Sequence, residues 1–381
     1  MIGIRHRLAD VTDPIDCSGP DATGHDFVFI DLASVDLRSK RIVAPRQLIV
    51  DSAPVRARQR VRSGDVLVST VRPHLNAVAS VSPGLDGAIA TTGFSVLRPR
   101  PEVVDERYLF RWVQSPEFIA EMTRLASGTT VPAVSDALVR ATEIALPPLD
   151  EQRRIASVLD EADQIRLDRR DAIALLDELA RSFYLDVVEN ASVFGTVRDL
   201  VESAVYGTSA RTSAPPGGAK AVPIIRVSDI SADGELDLTH LNVTELDTRE
   251  RERYSVTDGD VLFSRTASAE SVAKTTIFWG DQAAVHAANV IRLRPRHTAS
   301  AEYLAYFLNS AHTKDSLRAM ATINPANLLL ASVPVPSFAA QALLAHEFGD
   351  IHALKANEHA QLALLDELYV ALQNRAFNGR L

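Results

Sequence analysis

Cysteine is almost missing from this sequence: Cys17 stands alone among 381 residues, which excludes an internal disulfide framework and any metal site built from several thiolates. Lysine is scarce too, five against 35 arginines; the bias accompanies a richness in alanine and reads as genomic base composition before it reads as phosphate binding. No uninterrupted apolar run reaches the length of a membrane helix, and Met1 to Asp10 carries charges where a secretion signal would have its apolar stretch. The sequence therefore reads as cytoplasmic, with no membrane partner. Catalytic signatures are also lacking. Without a Gly-Lys dipeptide there is no P-loop. There is no Asn-Pro-Pro or Asp-Pro-Pro followed by an aromatic, as amino-methyltransferases carry, and no acid stands two residues before any lysine, as in Glu-x-Lys nuclease cores. The ten histidines contain no His-x-x-x-His, and His352 and His359 are seven apart on a polar helix surface. Neither a catalytic residue nor a metal site is expected.

What is present is repetition. Residues 150–184 read as one long helix, without Gly or Pro, whose apolar residues alternate by three and four: Ile155, Val158, Ala162, Ile165, Ala172, Leu176, Leu179 and Phe183, with Arg169 as the one polar position. Thirty-five residues make a rod of roughly 50 Å, too long to bury its stripe unaided. A second rod follows near the C-terminus. AlaLeuLeuAspGluLeu occurs at 174–179 and again at 363–368, and the same displacement of 189 sets Leu344, Ile351, Leu354, Leu365, Leu368 and Leu372 against the first seam, with Glu358 at the place of Arg169. The two rods are expected to pair with each other as a coiled coil, each with one charge at mid-seam and the two charges opposite in sign; a frayed, exposed seam is the plainer alternative.

The segments between the rods repeat as well, at a displacement near 195. GlyAspValLeu recurs at 64–67 and 259–262, LeuArgProArg at 97–100 and 293–296, and TyrLeu at 108–109 and 303–304. Short β-rich runs dominate each copy, followed by an amphipathic helix near 105–125 and 301–320. The expected fold is α+β: two tandem mixed domains, 1–146 and 191–333, separated and followed by helical spacers at 147–190 and 334–381. The net charge of −9 lies mostly on the spacers. The first domain holds 17 basic and 17 acidic residues and the second 14 and 16, so a basic face on either is permitted.

Three stretches carry a family resemblance: GlyAspValLeuValSerThrValArgProHisLeuAsnAlaVal at 64–78, SerGlyThrThrValPro at 127–132, and LeuProProLeuAspGluGlnArgArgIleAla at 146–156 opening the first rod. In these the sequence resembles the specificity (S) subunits of type I restriction-modification systems. The resemblance implies two target recognition domains, each reading half of a gapped duplex DNA site, and rods that lie antiparallel, with Arg169 and Glu358 meeting near a pseudo-two-fold axis, and that act as a ruler and as a dock for modification subunits. Those partners would use S-adenosylmethionine, and restriction subunits would add ATP- and magnesium-dependent cleavage, leaving this chain a non-catalytic subunit without a cofactor. The second copy departs from the signature, with no Glu before Gln341, and its TyrGlyThrSer loop at 206–209 has no counterpart in the first. Two other readings stay open: an S-like subunit serving another methyltransferase system, and a protein-interaction scaffold.

Candidate DNA contacts follow from residue type and position. Arg56, Arg58, Arg60 and Arg62 alternate and would share one strand face, as a phosphate-binding ribbon or merely a solvated one; Arg251 and Arg253 recur in the second copy. Arg72, His74 and Asn76 are donor-rich residues in a turn after a strand, suited to bases or phosphates, and Arg265 and Lys274 are the second-copy candidates. Thr129 and Thr130 follow Gly128 in a loop whose alternative is a simple turn. For docking and pairing, the candidates are Gln152, Ile155, Ile165, Arg169, Leu176 and Leu179 on the first rod and Ile351, Glu358, Leu365 and Leu368 on the second.

Overall fold

Short runs of β-branched and aromatic residues, punctuated by Gly and Pro turns, become the strands of two similar arrangements. The structure, a computed structural model, describes all residues except 1–3, 18, 21–25, 129, 190–192, 216–217, 219, 232–233, 266–273, 311–312 and 314–322. The chain is α+β and divides into two units, Met1–Ala172 with Glu358–Leu381, and Ile173–Asn357. Each unit combines one β-rich region with segments of both long helices, Leu149–Glu189 and Phe338–Phe377.

In the first unit one four-stranded sheet runs in the order Arg46–Leu48, Phe27–Ile30, Ile89–Thr91, Ala57–Arg60, with a parallel pair at its centre. A second, antiparallel sheet has the order Thr12–Asp13, Phe94–Pro99, Val66–Ser69, Val78–Ser80, and Ile4–Arg7 pairs with Glu143–Leu146 just before the first long helix. The second unit repeats this plan strand for strand. Asn242–Glu245, Ala221–Ile225, Ala284–His286 and Ser255–Val256 make the mixed sheet, with Thr212–Ser213 added at its edge. Val201–Tyr206, Val290–Pro295, Val261–Ser264 and Thr275–Ile277 make the antiparallel one, and Phe194–Thr196 pairs with Ser332–Pro334.

The repeated motifs are the joints of this plan. Gly64 and Gly259 sit in the left-handed region at φ 86° and 80°, which a side chain would resist. The following Asp65 and Asp260 are buried, accept the backbone N–H of Arg62 and Thr257, and hold the guanidinium groups of Arg98 and Arg294, each at 2.7–2.9 Å. GlyAsp and LeuArgProArg are thus one interaction seen from its two ends, and the Asp65 carboxylate raises the Arg98 pKa further. A buried tyrosine hydroxyl donates across to the last strand in each unit, Tyr108 to the Ala145 carbonyl and Tyr303 to that of Pro334, at 2.8 and 2.6 Å.

Two helix expectations are revised. The stretch 105–125 forms two helices, Glu106–Trp112 and Pro116–Leu125, because Pro116 cannot continue a helix but starts one well with Ser115 as its cap. Its second copy is helical over Ala301–Asn309, and 311–320 falls, except Thr313, outside the described residues.

The seams are also rotated from the expected ones. Positions turned inward on the first long helix are Ile155, Leu159, Ala162, Arg166, Arg169, Ile173, Leu176, Ala180 and Tyr184; on the second they are Leu344, Phe348, Ile351, Lys355, Glu358, Leu362, Leu365, Tyr369 and Ala376. Ile165, Leu179, Leu354 and Leu368 are exposed instead. This rotation buries the larger Leu159, Phe348 and Tyr369, and each such side chain contributes roughly 1.5–3 kcal/mol when withdrawn from water. In the first unit the segments run antiparallel, since Arg154 reaches the Leu381 carbonyl while Arg166 meets Asp366 and Arg169 meets Glu358. Arg169 and Glu358 pair at 2.8 Å, and a second set of ion pairs links the same helices, with Arg166 bound to Asp163 and Asp366 and Arg170 to Asp366.

Candidate nucleic-acid interface

In the first unit, the strand Ala57–Arg60 turns Ala57 and Gln59 into the core and Arg58 and Arg60 outward, with Arg56 and Arg62 also exposed or nearly so. The shared arginine face exists, yet it is partly neutralised. Arg60 lies 3.9 Å from Asp16, Arg56 3.9 Å from Asp31, and the Arg58 Nε donates to the Val55 carbonyl. Arg46, absent from the sequence candidates, pairs with Asp31 at 3.0 Å and lies over the Phe29 ring. The acidic Asp31 that draws these groups together caps the turn Leu32–Ser34; an Asp followed by a small 3-10 turn is the signal that could have found it.

A more exposed constellation forms at the turn after Val66–Ser69. Arg72 and Asn76 flank the 3-10 turn Pro73–Leu75, both left-handed at φ 49° and 47°, a conformation that costs a non-glycine residue free energy and is retained where the surroundings enforce it. What enforces it is the loop 127–133. The Arg72 N–H donates to the Pro132 carbonyl at 2.7 Å, the Val134 N–H to Thr70 at 2.8 Å, and Ser127 and Ala133 bond to each other twice. Arg72, His74 and Thr130 are therefore held on adjacent exposed turns, with Leu75 and Val131 exposed beside them. Asn76 does not join them. It is buried, its amide donates to the Val113 carbonyl and its own carbonyl accepts from Lys40, so it holds the turn instead of contacting a ligand. Burial lowers the Lys40 pKa. Thr129 lies outside the described residues.

The second unit builds its counterpart differently. Arg265 follows Val261–Ser264, and its guanidinium lies 5.0 Å over the Tyr206 ring, an aromatic contact that orients an arginine. Tyr206 opens the extra loop, in which Gly207 is obligatory because an added Cβ would come within 2.1 Å of the His286 carbonyl oxygen. Arg251 and Arg253 sit on the helix Thr248–Tyr254 and not on a strand, because Asp247 and Glu250 form a capping box that starts it. Arg251 donates to the Lys220 carbonyl and Arg253 lies over Tyr254. Lys274 spends its ammonium on the Ile230 carbonyl at 3.0 Å, which takes it from the candidate contacts.

On the helices, Gln152 and Ile155 are buried within the first unit. Gln152 is buried: its side-chain oxygen accepts from the Asp105 N–H, and its amide donates to the Val103 and Pro147 carbonyls. Gln341 does the same in the second unit with Ser300 and Pro336. Ile155 is core in the first unit and Ile351 in the second, with Leu176 packed against the latter core. Leu365 is half-buried, whereas Ile165, Leu179 and Leu368 present apolar surface outward. Among the described residues no cluster of His, Cys, Asp or Glu could hold a metal, and no helix is long and apolar enough to cross a membrane.

The comparisons with known proteins point to components of restriction systems. Residues 61–175 match the family described as "Type I restriction modification DNA specificity domain". The chain is 26% identical over 191 residues to the specificity subunit assigned to the MjaX type I restriction enzyme of Methanocaldococcus jannaschii, covering 48% of this chain and 44% of that one. To the EcoDI specificity subunit of Escherichia coli it is 25% identical over 140 residues, 36% of this chain and 30% of that one. These matches thus span under half of the curated relatives' lengths. A chain from a structure described as the basis of complex assembly and conformational transition of the type I R-M system is 26% identical, covering 100% of this chain and 98% of that one with a TM-score of 0.61. The S subunit from M. genitalium shares the fold at 12% identity and TM-score 0.59, over 98% of this chain and 96% of its own. The specificity-domain match over residues 61–175, the curated relatives and the full-length structural match agree: this chain is similar to type I restriction-modification DNA specificity subunits.

Proposed function

We propose that this chain reads a gapped, two-part duplex DNA site, one half through each β-rich region, and holds modification subunits on its long helices. The observation that carries the reading is the pairing of an unvarying scaffold with unlike faces. Both units keep the same strand order and the same Gln, Tyr and Asp–Arg joints, while the exposed turns differ: Arg72, His74 and Thr130 in one, Arg265 on Tyr206 in the other. Unlike faces suit unlike half-sites. Arginine and histidine can contact base edges or phosphates, and exposed Leu75 and Val131 offer apolar contact to a thymine methyl. A helix of 41 residues extends about 60 Å, enough to separate two readers by more than one DNA turn of about 34 Å.

The chain contributes no catalytic group in this reading. Its partners transfer methyl groups from S-adenosylmethionine to adenine, and restriction subunits use ATP and magnesium to cleave, all in the cytoplasm. The exposed Ile165, Leu179 and Leu368 are the apolar surface left for a docked subunit. The test is a footprint on random duplexes by the chain assembled with its neighbouring modification subunit. A bipartite footprint with an unprotected gap is expected; binding without sequence preference overturns the reading.

A further inference from the structure

Each unit has a cavity where the β-rich region meets its own helix segments, and the two cavities occupy the same place in the repeat. In the first unit it measures about 220 Å³ and is lined by Lys40, Arg41, Phe110, Arg111, Asp160 and Asp163 among others. In the second it measures about 650 Å³, within the range of ligand-sized pockets. The first is filled by this chain's own guanidinium. Arg111 is buried, bonds Asp160 and Asp163 at 2.7 Å and donates to the Tyr369 hydroxyl at 3.2 Å.

Every member of that cluster is replaced in the second unit. Tyr306 stands for Arg111, Gly349 for Asp160, His352 for Asp163 and Ala180 for Tyr369, and the turn that supplies Lys40 and Arg41 supplies Gly234 and Glu235. The Tyr306 ring stacks on Phe348 at 4.1 Å instead of crossing the space, and Gly349 leaves its side empty. The result is a pocket walled by Tyr306, Phe348 and Trp279, with Glu235 and Glu302 among its lining and neither Lys nor Arg among the described residues that form it. Such a site repels phosphate and suits a cation resting on aromatic faces beside carboxylates. Trp279 is half exposed, and Leu236, Leu238 and Ile277 add aliphatic surface to the lining.

We infer that this pocket is a receptor for an arginine-bearing segment of a partner polypeptide, which supplies in trans the guanidinium that Arg111 supplies in the first unit. The carboxylates take the guanidinium, the rings take its faces, and the aliphatic lining of Leu236, Leu238 and Ile277 takes a neighbouring aliphatic residue. The inference goes beyond the DNA-reading proposal and holds whichever polypeptide carries the arginine.

The test uses Trp279, because the other tryptophan, Trp112, is buried in the first unit. The full chain is titrated with the capped peptide acetyl-Leu-Arg-Leu-Phe-amide, with its glutamine analogue, and with arginine amide, following tryptophan emission. The arginine peptide is expected to bind at least about tenfold tighter than either comparator, as a desolvated cation over aromatic rings would require. Glu302→Gln should erase the preference, and so should Glu235→Gln, whose exposed position leaves folding intact. No emission change up to millimolar peptide overturns the inference, as does equal binding of the glutamine analogue. Equal binding of arginine amide assigns the pocket to a small cation and overturns the polypeptide proposal.

Discussion

The two units solve one folding problem with two kinds of interior. Where the first joins its β-rich region to the helices through the ionic cluster of Arg111, Asp160, Asp163 and Tyr369, the second uses the rings of Tyr184, Tyr306 and Phe348. Burial pushes the Tyr306 pKa up to about 12, so the hydroxyl stays neutral there. What both retain is the set of bonds that fixes backbone to backbone: the glutamine on the long helix, the tyrosine across to the last strand, the aspartate under the glycine turn. A duplicated chain can exchange how it fills volume, since cores tolerate replacement when packing is kept. It cannot give up polar joints whose loss leaves buried groups unsatisfied.

The strongest way to test that division is to remove the aspartate joint from each unit in turn. In the first, Asp65→Ala leaves Arg98, whose side chain is 14% exposed, without its carboxylate, and should cost about 3–5 kcal/mol. In the second, Arg294 is 35% exposed and can recover water, so Asp260→Ala should cost less, about 1–3 kcal/mol. Amide hydrogen exchange read separately in each unit would give both values. Equal and negligible losses would mean that the retained pair is incidental.

The interiors differ again at His286, fully buried on the strand Ala284–His286, where the matching strand of the first unit has Ala90. Burial, with Arg292 nearby, lowers the His286 pKa from 6.5 to about 4. Its Nδ1 faces the Val290 carbonyl, so that nitrogen carries the proton, and among the described residues Nε2 has no hydrogen-bond partner. The folded state thus favours the neutral ring. The stability this confers is complete above pH 6.5 and is lost as pH falls toward 4, to a total on the order of 3 kcal/mol. The second unit should lose protection over that window while His286→Leu flattens its pH dependence; an unaltered pH profile in that variant would assign the acid sensitivity elsewhere.

Much of this was legible in the sequence because duplication writes each element twice. The GlyAsp and LeuArgProArg repeats marked strands before their pairing was known, and the rods announced themselves by length. The seam was misread by one position in alternate turns. Val158 and Ile165 satisfy a three-four alternation as well as Leu159 and Arg166 do, and only packing against Tyr369 decides that an arginine lies inside and an isoleucine outside. Among the candidate residues, Arg72 and His74 lie on the surface, because turns after strands expose side chains. Asn76 and Lys274 failed because donors in turns serve the backbone as readily as a ligand. The replacement of Arg111 by Tyr306 was visible in the alignment of the halves but meaningless until the cavity gave it a volume.

If the unlike faces read unlike half-sites, damage to one should be confined to it. In the assembled complex, Arg72→Ala should weaken binding about tenfold and reduce the salt dependence by about one counterion if it contacts phosphate, or relax preference at one base if it contacts an edge. Either effect should map to one half of the footprint, and Arg265→Ala should map to the other. Methylation rates on duplexes altered in each half-site would measure this. A substitution that weakened both halves alike would place these arginines in a shared, structural role.

The smallest expected effect concerns the charges inside the first unit's helix pairing, where the second unit relies mainly on Leu176, Ala180, Phe348 and Ile351, beside the ion pair of Lys355 with Asp177. The Arg169 and Glu358 side chains are 33% and 15% exposed, so neither is fully desolvated and water still screens their attraction. Arg169→Glu sets two carboxylates together and should lower stability by about 1 kcal/mol, with the double exchange Arg169→Glu, Glu358→Arg recovering most of it. The recovery cannot be complete, because Asp366 and Asp163 already bind Arg166 and Arg170 nearby and were placed for cations on the first helix. Thermal melts of the single and double variants distinguish the cases. If the double exchange is no more stable than Arg169→Glu alone, the pair contributes nothing to register, and the helices align through Leu362, Leu365, Tyr369 and the ion pairs of Asp366 with Arg166 and Arg170.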